Sequence, residues 1–239
     1  MKSIGHRNPQ QHPLGHTFED SEITVFFGNR NSRTEELKSY FPDIELKLLK
    51  QTHSNHVQLY EQSTLHQEAQ GDAHITGIKQ VALGIKTADC IPVMIFDPDL
   101  RMIAAIHAGW RGVENEIIIK TGQHLKALGS TLRRAQAWVG PHIGFESFEI
   151  GLDVASQLLK AFEAVRGYSS PSDIAKAHED KNKIYLNLTL IASAQIRSLG
   201  IDDDRMNVMQ INTVASPEHH SFRRDGKLAG RQISFIALK

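Results

Sequence analysis

The chain's single cysteine, Cys90, stands 17 residues before His107 in ADCIPVMIFDPDLRMIAAIHAGWRG, residues 88–112. A thiolate and an imidazole in contact form either a nucleophile–base pair or two ligands of a metal such as Zn²⁺. DPDL, residues 97–100, is a turn signal in which Pro98 can preset φ. With the turn centred there, Cys90 lies directly across from His107, the Cβ atoms ~4.5–5.5 Å apart. Pro98 suits the primed turns of two-residue hairpins poorly, so a longer loop or a bulge would slip the pairing by one. The bland alternative is a small buried thiol beside a satisfied core histidine. Against it, both residues sit where strands give way to loops, with Asp89 before one and AGWRG after the other. Gly109 and Gly112 allow a tight turn into a helix whose first N–H groups could hold an anion, and Trp110 offers a stacking face.

A metal needs a third donor. QTHSNHV, residues 51–57, supplies His53 and His56, which on a strand point to opposite faces, so one of the two serves. His74, in GDAHIT, is a further candidate. The chain contains neither HxH nor HExxH, so the ligands have to come from separate segments.

The elements that must position these groups are mostly short and apolar. ITVFF (23–27), IELKLL (44–49) and VQLYE (57–61) read as strands. QVALGIKTA (80–88), IPVMIFD (91–97) and MIAAIHA (102–108) are near-continuous apolar runs of strand length, hence strands buried on both faces. AQAWVG (135–140), MNVMQI (206–211) and QISFIAL (232–238) complete the set. Helical spacing appears over 113–128, 153–165 and 188–199, the first and last ending at Gly129 and Gly200. Residues 166–182 read as a polar surface loop. Strands outnumber helices without strict interleaving, which predicts an α+β fold with mixed sheets. Residues 1–22 are polar and expected to fray; 23–239 form one domain, no linker separating two composition regimes.

The composition excludes several partners. The 239 residues carry 27 Lys+Arg and 27 Asp+Glu, so the net charge is zero and there is no global attraction to nucleic acid or an anionic membrane. No apolar run approaches the ~18 residues of a membrane span, and the first twenty residues lack the apolar core of a secretory signal. One cysteine permits no intramolecular disulfide, in keeping with a reducing compartment, and the expectation is a cytoplasmic protein. Oligomeric state is not readable.

QTHSNHV, GDAHIT, KTADCIPVMIFDP, IAAIHAGWRG, GPHIGFESFEIG and FRRDGKLAGRQ, in that order, resemble the YfiH-like, laccase-domain proteins. That family was long labelled polyphenol oxidase and is regarded as zinc-dependent purine nucleoside phosphorylases. The resemblance implies zinc ligands His53, Cys90 and His107, and an α+β fold of layered mixed sheets with outer helices, shared with the catalytic domain of the cytotoxic necrotizing factor toxins. It implies a purine nucleoside and phosphate as substrates, with adenosine deamination and methylthioadenosine phosphorolysis as further activities. Within it, Arg223, Arg224 and Arg231 of FRRDGKLAGR, and Arg111, become candidates for gripping phosphate, because guanidinium binds phosphate bidentately. Asp72 becomes a candidate to orient a ligand histidine or to act on the base. The family's T-R-x-G-G opening is replaced by VFFGNRNSRTEEL, and Asn212-Thr213 stands where a Cys-Thr pair often occurs. His142 and Glu146 occupy variable positions; these departures bear on substrate preference.

Two other readings compete. A cysteine hydrolase or amidase would use Cys90 as nucleophile and His107 as base, without metal. A copper-dependent polyphenol oxidase is less well supported, since a multinuclear cluster calls for paired histidines, although a His₂Cys site could take copper adventitiously.

Overall fold

Strands that are apolar on both faces need cover on both faces, and the computed structural model, which describes residues 8–165 and 169–239, supplies it with two six-stranded sheets. In the first the spatial order is β1 (Gln10–His12), β2 (Gly15–Glu19), β3 (Ile23–Gly28), β15 (Gln232–Leu238), β7 (Val81–Thr87) and β4 (Glu45–Leu48). In the second it is β14 (Met206–Val208), β10 (Gln136–Val139), β8 (Ile91–Asp97), β9 (Met102–Ala108), β6 (Ala73–Thr76) and β5 (Val57–Tyr60). A small third sheet joins β11 (Glu149–Gly151), β13 (Lys183–Leu186) and β12 (Ala175–Ala177). The pairs β4–β7, β5–β6 and β10–β14 are parallel and the other named pairs antiparallel, so the sheets are mixed, as expected.

Side-chain alternation assigns each strand residue a layer. Val25 and Phe27 of β3, Leu83 and Ile85 of β7, Met94 and Phe96 of β8, and Ile103 and Ala105 of β9 fill the space between the sheets. Phe26 and Phe235 point the other way, under helix α1 (Thr34–Tyr40) and its Leu37. Val93, Ile95, Ala104 and Ile106 face short α2 (Trp110–Glu114) and longer α3 (Ile117–Ala127), α4 (Leu152–Ala164) and α6 (Leu188–Ser198). Two further short helices are α5 (Pro171–Ile174) and α7 (Phe222–Asp225). Among the described residues no helix is long and apolar enough to cross a membrane.

Four expectations change. Of the N-terminal segment expected to fray, residues 1–7 lie outside the described residues, but 10–19 form a hairpin that extends the first sheet. The helix read over 113–128 is broken: the Asn115 side chain donates to the Arg111 carbonyl at 2.8 Å, closing α2, and Glu116 turns through φ 61° before α3. The loop read over 166–182, whose first three residues lie outside the described ones, contains α5 and β12. The strand β6, around His74, went unread.

Just past the end of β10 the second sheet meets β3 of the first at close quarters. A Cβ on Gly140 would stand 2.1 Å from a ring carbon of fully buried Phe27, which has no room to yield. Gly140→Ala should therefore lower stability by ~1–3 kcal/mol through overpacking. Thermal unfolding checks this; an unchanged midpoint would mean that the sheets can part.

Candidate functional site

The site lies at one end of the two sheets, where β7 stops, residues 88–90 cross to β8, and β9 runs out into Gly109. The hairpin register differs from the sequence expectation. Asp97 pairs with Met102 around a four-residue loop, and His107 pairs with Pro92 rather than Cys90. Each strand is thus offset so that Cys90 is one pleat beyond the partner of His107. An offset of two residues keeps a side chain on its face, whereas a slip of one would have separated the pair. Both face the space between the sheets, diagonal to each other.

His53 completes the group. The donor atoms of His53, Cys90 and His107 all lie within 4.8 Å of one another, and the two imidazole centroids are 4.9 Å apart. Residues 51–56 are a loop rather than a strand, and His53 takes a left-handed φ of 57°. The Gln51 side chain docks this loop on β7, donating to the Lys86 carbonyl at 2.8 Å and accepting its N–H at 2.7 Å. Gly109 closes the floor: a Cβ there would stand 3.1 Å from the Cys90 sulfur and 3.2 Å from His53 Nδ1. Two imidazoles and one thiol converging in this way suit a soft or borderline divalent metal with one position open. His56 is exposed and outside the group. His74 is fully buried on β6, where burial lowers it to about 3 and keeps it neutral.

Asp72 ties the His53 loop to His107. Its carboxylate, fully buried, accepts the N–H groups of Thr52, His53 and Ser54 at 3.2, 3.0 and 2.6 Å, and the Ser54 hydroxyl at 2.7 Å. Oδ1 also lies 2.8 Å from His107 Nδ1, which leaves Nε2 for the cluster. Burial pushes Asp72 up, but the hydrogen bonds from His107 and Ser54 outweigh it and hold the group well below the ordinary carboxylate range. Burial pushes His107 down; charge and hydrogen-bond interactions with Cys90 and Asp72 outweigh it and raise the imidazole to about 9. Burial, then repulsion from His107, lowers His53 and favours its neutral, ligating form.

The cluster opens into a pocket of about 650 Å³. Four cations line it, Lys86, Arg111, Arg223 and Arg231, against one carboxylate, Asp89. Asp89 accepts the Thr213 hydroxyl at 2.7 Å and the Arg223 N–H at 2.6 Å. Arg223 donates to the Ser147 and Glu149 carbonyls, and Arg231 to those of Ala229 and Gly230, each through Nη1 alone. Arg111 carries its guanidinium 4.4 Å over the Trp110 ring, and that group makes no hydrogen bond or ion pair among the described residues. Arg224 does not line the pocket. Its guanidinium donates to the carbonyls of Thr213, Val214, Ser216 and His219 and pairs with Asp225, so it ties loops together. Gln51 lies in QTHSNHV and Lys86 and Asp89 in KTADCIPVMIFDP, but the sequence suggests no role for Gln51 or Lys86 and marks Asp89 only as the residue before Cys90.

Asp72→Asn keeps the shape of the group and removes its charge. Metal affinity should fall ten- to hundredfold, roughly the usual effect of losing a ligand's hydrogen-bond partner, as read by chelator competition. Metal must also displace the proton that His107 holds up to about 9 in the metal-free protein. Affinity should therefore climb with pH toward about 9 and then level. The same proton stabilises the metal-free fold fully below the ordinary 6.5, a contribution lost as pH rises through about 9. Flat affinity across that window would refute the displacement.

Residues 7–239 match the family described as multi-copper polyphenol oxidoreductase laccase. A protein of Clostridium acetobutylicum named purine nucleoside phosphorylase is 32% identical over 238 residues, covering 93% of this chain and 94% of its own length. A protein from an unknown prokaryotic organism, named adenosine deaminase, is 29% identical over 171 residues, 70% of this chain and 62% of its own. The crystal structure of YlmD from Geobacillus stearothermophilus superposes with a TM-score of 0.82 at 18% identity, covering 97% of this chain and 98% of that one. YfiH from Bacillus licheniformis gives 0.80 at 19% identity, covering 91% and 93%. The layered sheets are thus the fold of those structures, and the chain belongs to the YfiH-like, laccase-domain family.

Proposed function

We propose that the protein is a zinc-dependent purine nucleoside phosphorylase. The observation that carries this reading is the His53–Cys90–His107 group opening into a pocket whose four cations face a single, already bonded carboxylate. The volume is that of a small-molecule site, and the wall suits an anionic co-substrate. The relatives named purine nucleoside phosphorylase support the same assignment.

Zn²⁺ at this donor set would supply Lewis-acid charge beside the substrate and keep the Cys90 sulfur a thiolate. The chain's own groups do the rest. Asp72 orients His107 and the His53 loop together. Arg111, Arg223 and Arg231 hold phosphate so that one oxygen faces the anomeric carbon of the sugar. That oxygen forms the new bond as the glycosidic bond breaks, and the base leaves with its electron pair, giving ribose 1-phosphate. Adenosine, inosine, guanosine and methylthioadenosine fit this scheme. Attack by water on C6 of the adenine ring, in place of phosphate on the sugar, forms a C–O bond as the C–N bond breaks. The protonated amine leaves as ammonia, giving deamination in the same pocket, a reading supported by the relative named adenosine deaminase.

One observation favours a second reading. Cys90, His107 and Asp72 lie in the order of a thiol–imidazole–carboxylate triad, His107 Nδ1 standing 2.8 Å from the carboxylate. His53 is the discriminator, because a triad has no use for a third donor. Elemental analysis beside thiol alkylation separates the two: a zinc-bound sulfur resists alkylation and a nucleophilic one reacts readily.

Arg111→Ala should lower phosphate-dependent turnover by ~10- to 100-fold, for loss of one charged partner at ~1.5–3 kcal/mol, and reduce deamination less. Metal content should stay unchanged. Arg224→Ala should instead lower the unfolding temperature, since its partners are backbone carbonyls of 213–219. Release of ribose 1-phosphate from inosine, followed at varied phosphate, reads the first effect; equal loss of both activities would move Arg111 from phosphate to nucleoside or fold.

A further inference from the structure

Two aromatic rings of the pocket wall stand apart from its buried side chains, Trp110 and Phe222. The sequence suggested Trp110 as the stacking surface. In the structure that ring packs against the helix-side core on α2 and carries the Arg111 guanidinium 4.4 Å above it. Phe222 belongs to no core cluster among the described residues and is 52% exposed. Its ring neighbour is the Arg231 guanidinium at 5.9 Å. A large apolar ring left open on a cavity wall gains most by covering itself with a flat ligand.

The backbone beneath that ring is held from several sides. Ser221, fully buried, accepts the Arg224 N–H at 3.1 Å, and Asp89 accepts the Arg223 N–H at 2.6 Å. The Arg224 guanidinium fixes the surrounding carbonyls, and Gly226 turns the chain away at φ 57°. Exposure of Phe222 is therefore not looseness of its segment. A ring with few rotatable bonds on a fixed backbone gives up little entropy when a ligand stacks on it.

We propose that Phe222 is the stacking platform for the purine base, with Arg231 at its edge of the pocket and Trp110 serving only to carry Arg111. This rests on the phosphorylase reading above. Stacking on an aromatic face is sequence-tolerant, since every nucleobase has a π-face, so Phe222 sets affinity for flat heteroaromatic bases rather than a choice among them.

The test is calorimetric titration of hypoxanthine and, separately, ribose 1-phosphate into the zinc-loaded full chain, beside inosine phosphorolysis. Phe222→Ala should weaken hypoxanthine binding roughly ten- to hundredfold. It should raise the inosine KM more than it lowers kcat, with ribose 1-phosphate affinity, zinc content and unfolding temperature unchanged. Phe222→Tyr should restore base affinity to within about threefold. A wild-type protein that phosphorolyses inosine while Phe222→Ala binds hypoxanthine as well as wild type overturns the stacking role alone. Equal weakening of base and sugar phosphate overturns it also, since Phe222 would then shape the pocket as a whole. A wild-type protein that binds hypoxanthine through Phe222 yet cleaves no nucleoside leaves the platform standing and removes the phosphorylase reading.

Discussion

The Asp72 carboxylate is the interaction on which the site depends. It is fully buried, and a buried anion is tolerated only where hydrogen bonds replace its lost water. Here the replacements come from both ligand segments: the N–H groups of 52–54 and the ring of His107. Its own backbone adds to this, since the Asp72 carbonyl accepts the His107 N–H at 2.7 Å. The group therefore works twice. It bends the 51–56 loop so that His53 faces inward, at a φ that an unaided histidine avoids, and it fixes which nitrogen of His107 faces the cavity.

That arrangement needs a stiff frame, which the stacked sheets provide. His107 projects between the sheets from β9 of the second and Cys90 from the residue just before β8, while Lys86 comes from the end of β7 and Arg231 from the residue just before β15 in the first. The space between is closed below by Met94, Phe96, Phe27 and Ile85. A close-packed apolar layer transmits little play to the donor atoms above it. The same layer excludes water from the floor of the site, which strengthens every charge interaction there.

Much of this was legible in the sequence, for physical reasons. Strands β7, β8, β9 and β15 are sandwiched between layers, so nearly every residue is apolar and the runs announce themselves. β1 was not legible because it is the edge of its sheet and exposes Gln10 and Gln11, leaving no apolar pattern. The hairpin was found and its register missed, because Pro98 and the 98–101 loop lengthen the turn beyond the two-residue form assumed. The expected direct pairing of Cys90 with His107 is lost, but the offset is even and leaves both on the same face. Which of the arginines of FRRDGKLAGR lines the pocket was open in the sequence for a different reason. Two consecutive arginines on one short helix diverge, and sequence alone does not say which of them meets the cavity and which meets carbonyls.

The charge balance carries a further point. The chain as a whole is neutral, which argues against long-range attraction of any polyanion. Yet the pocket wall gathers Lys86, Arg111, Arg223 and Arg231, and the one acid among them, Asp89, is committed to Thr213 and the Arg223 backbone. Within a cavity of about 650 Å³ those charges act at distances shorter than the screening length of physiological salt. A small anion that enters the pocket thus meets concentrated positive charge. Neutral composition and a cationic pocket are therefore compatible, because the one is a sum over the whole chain and the other a local gathering of four side chains.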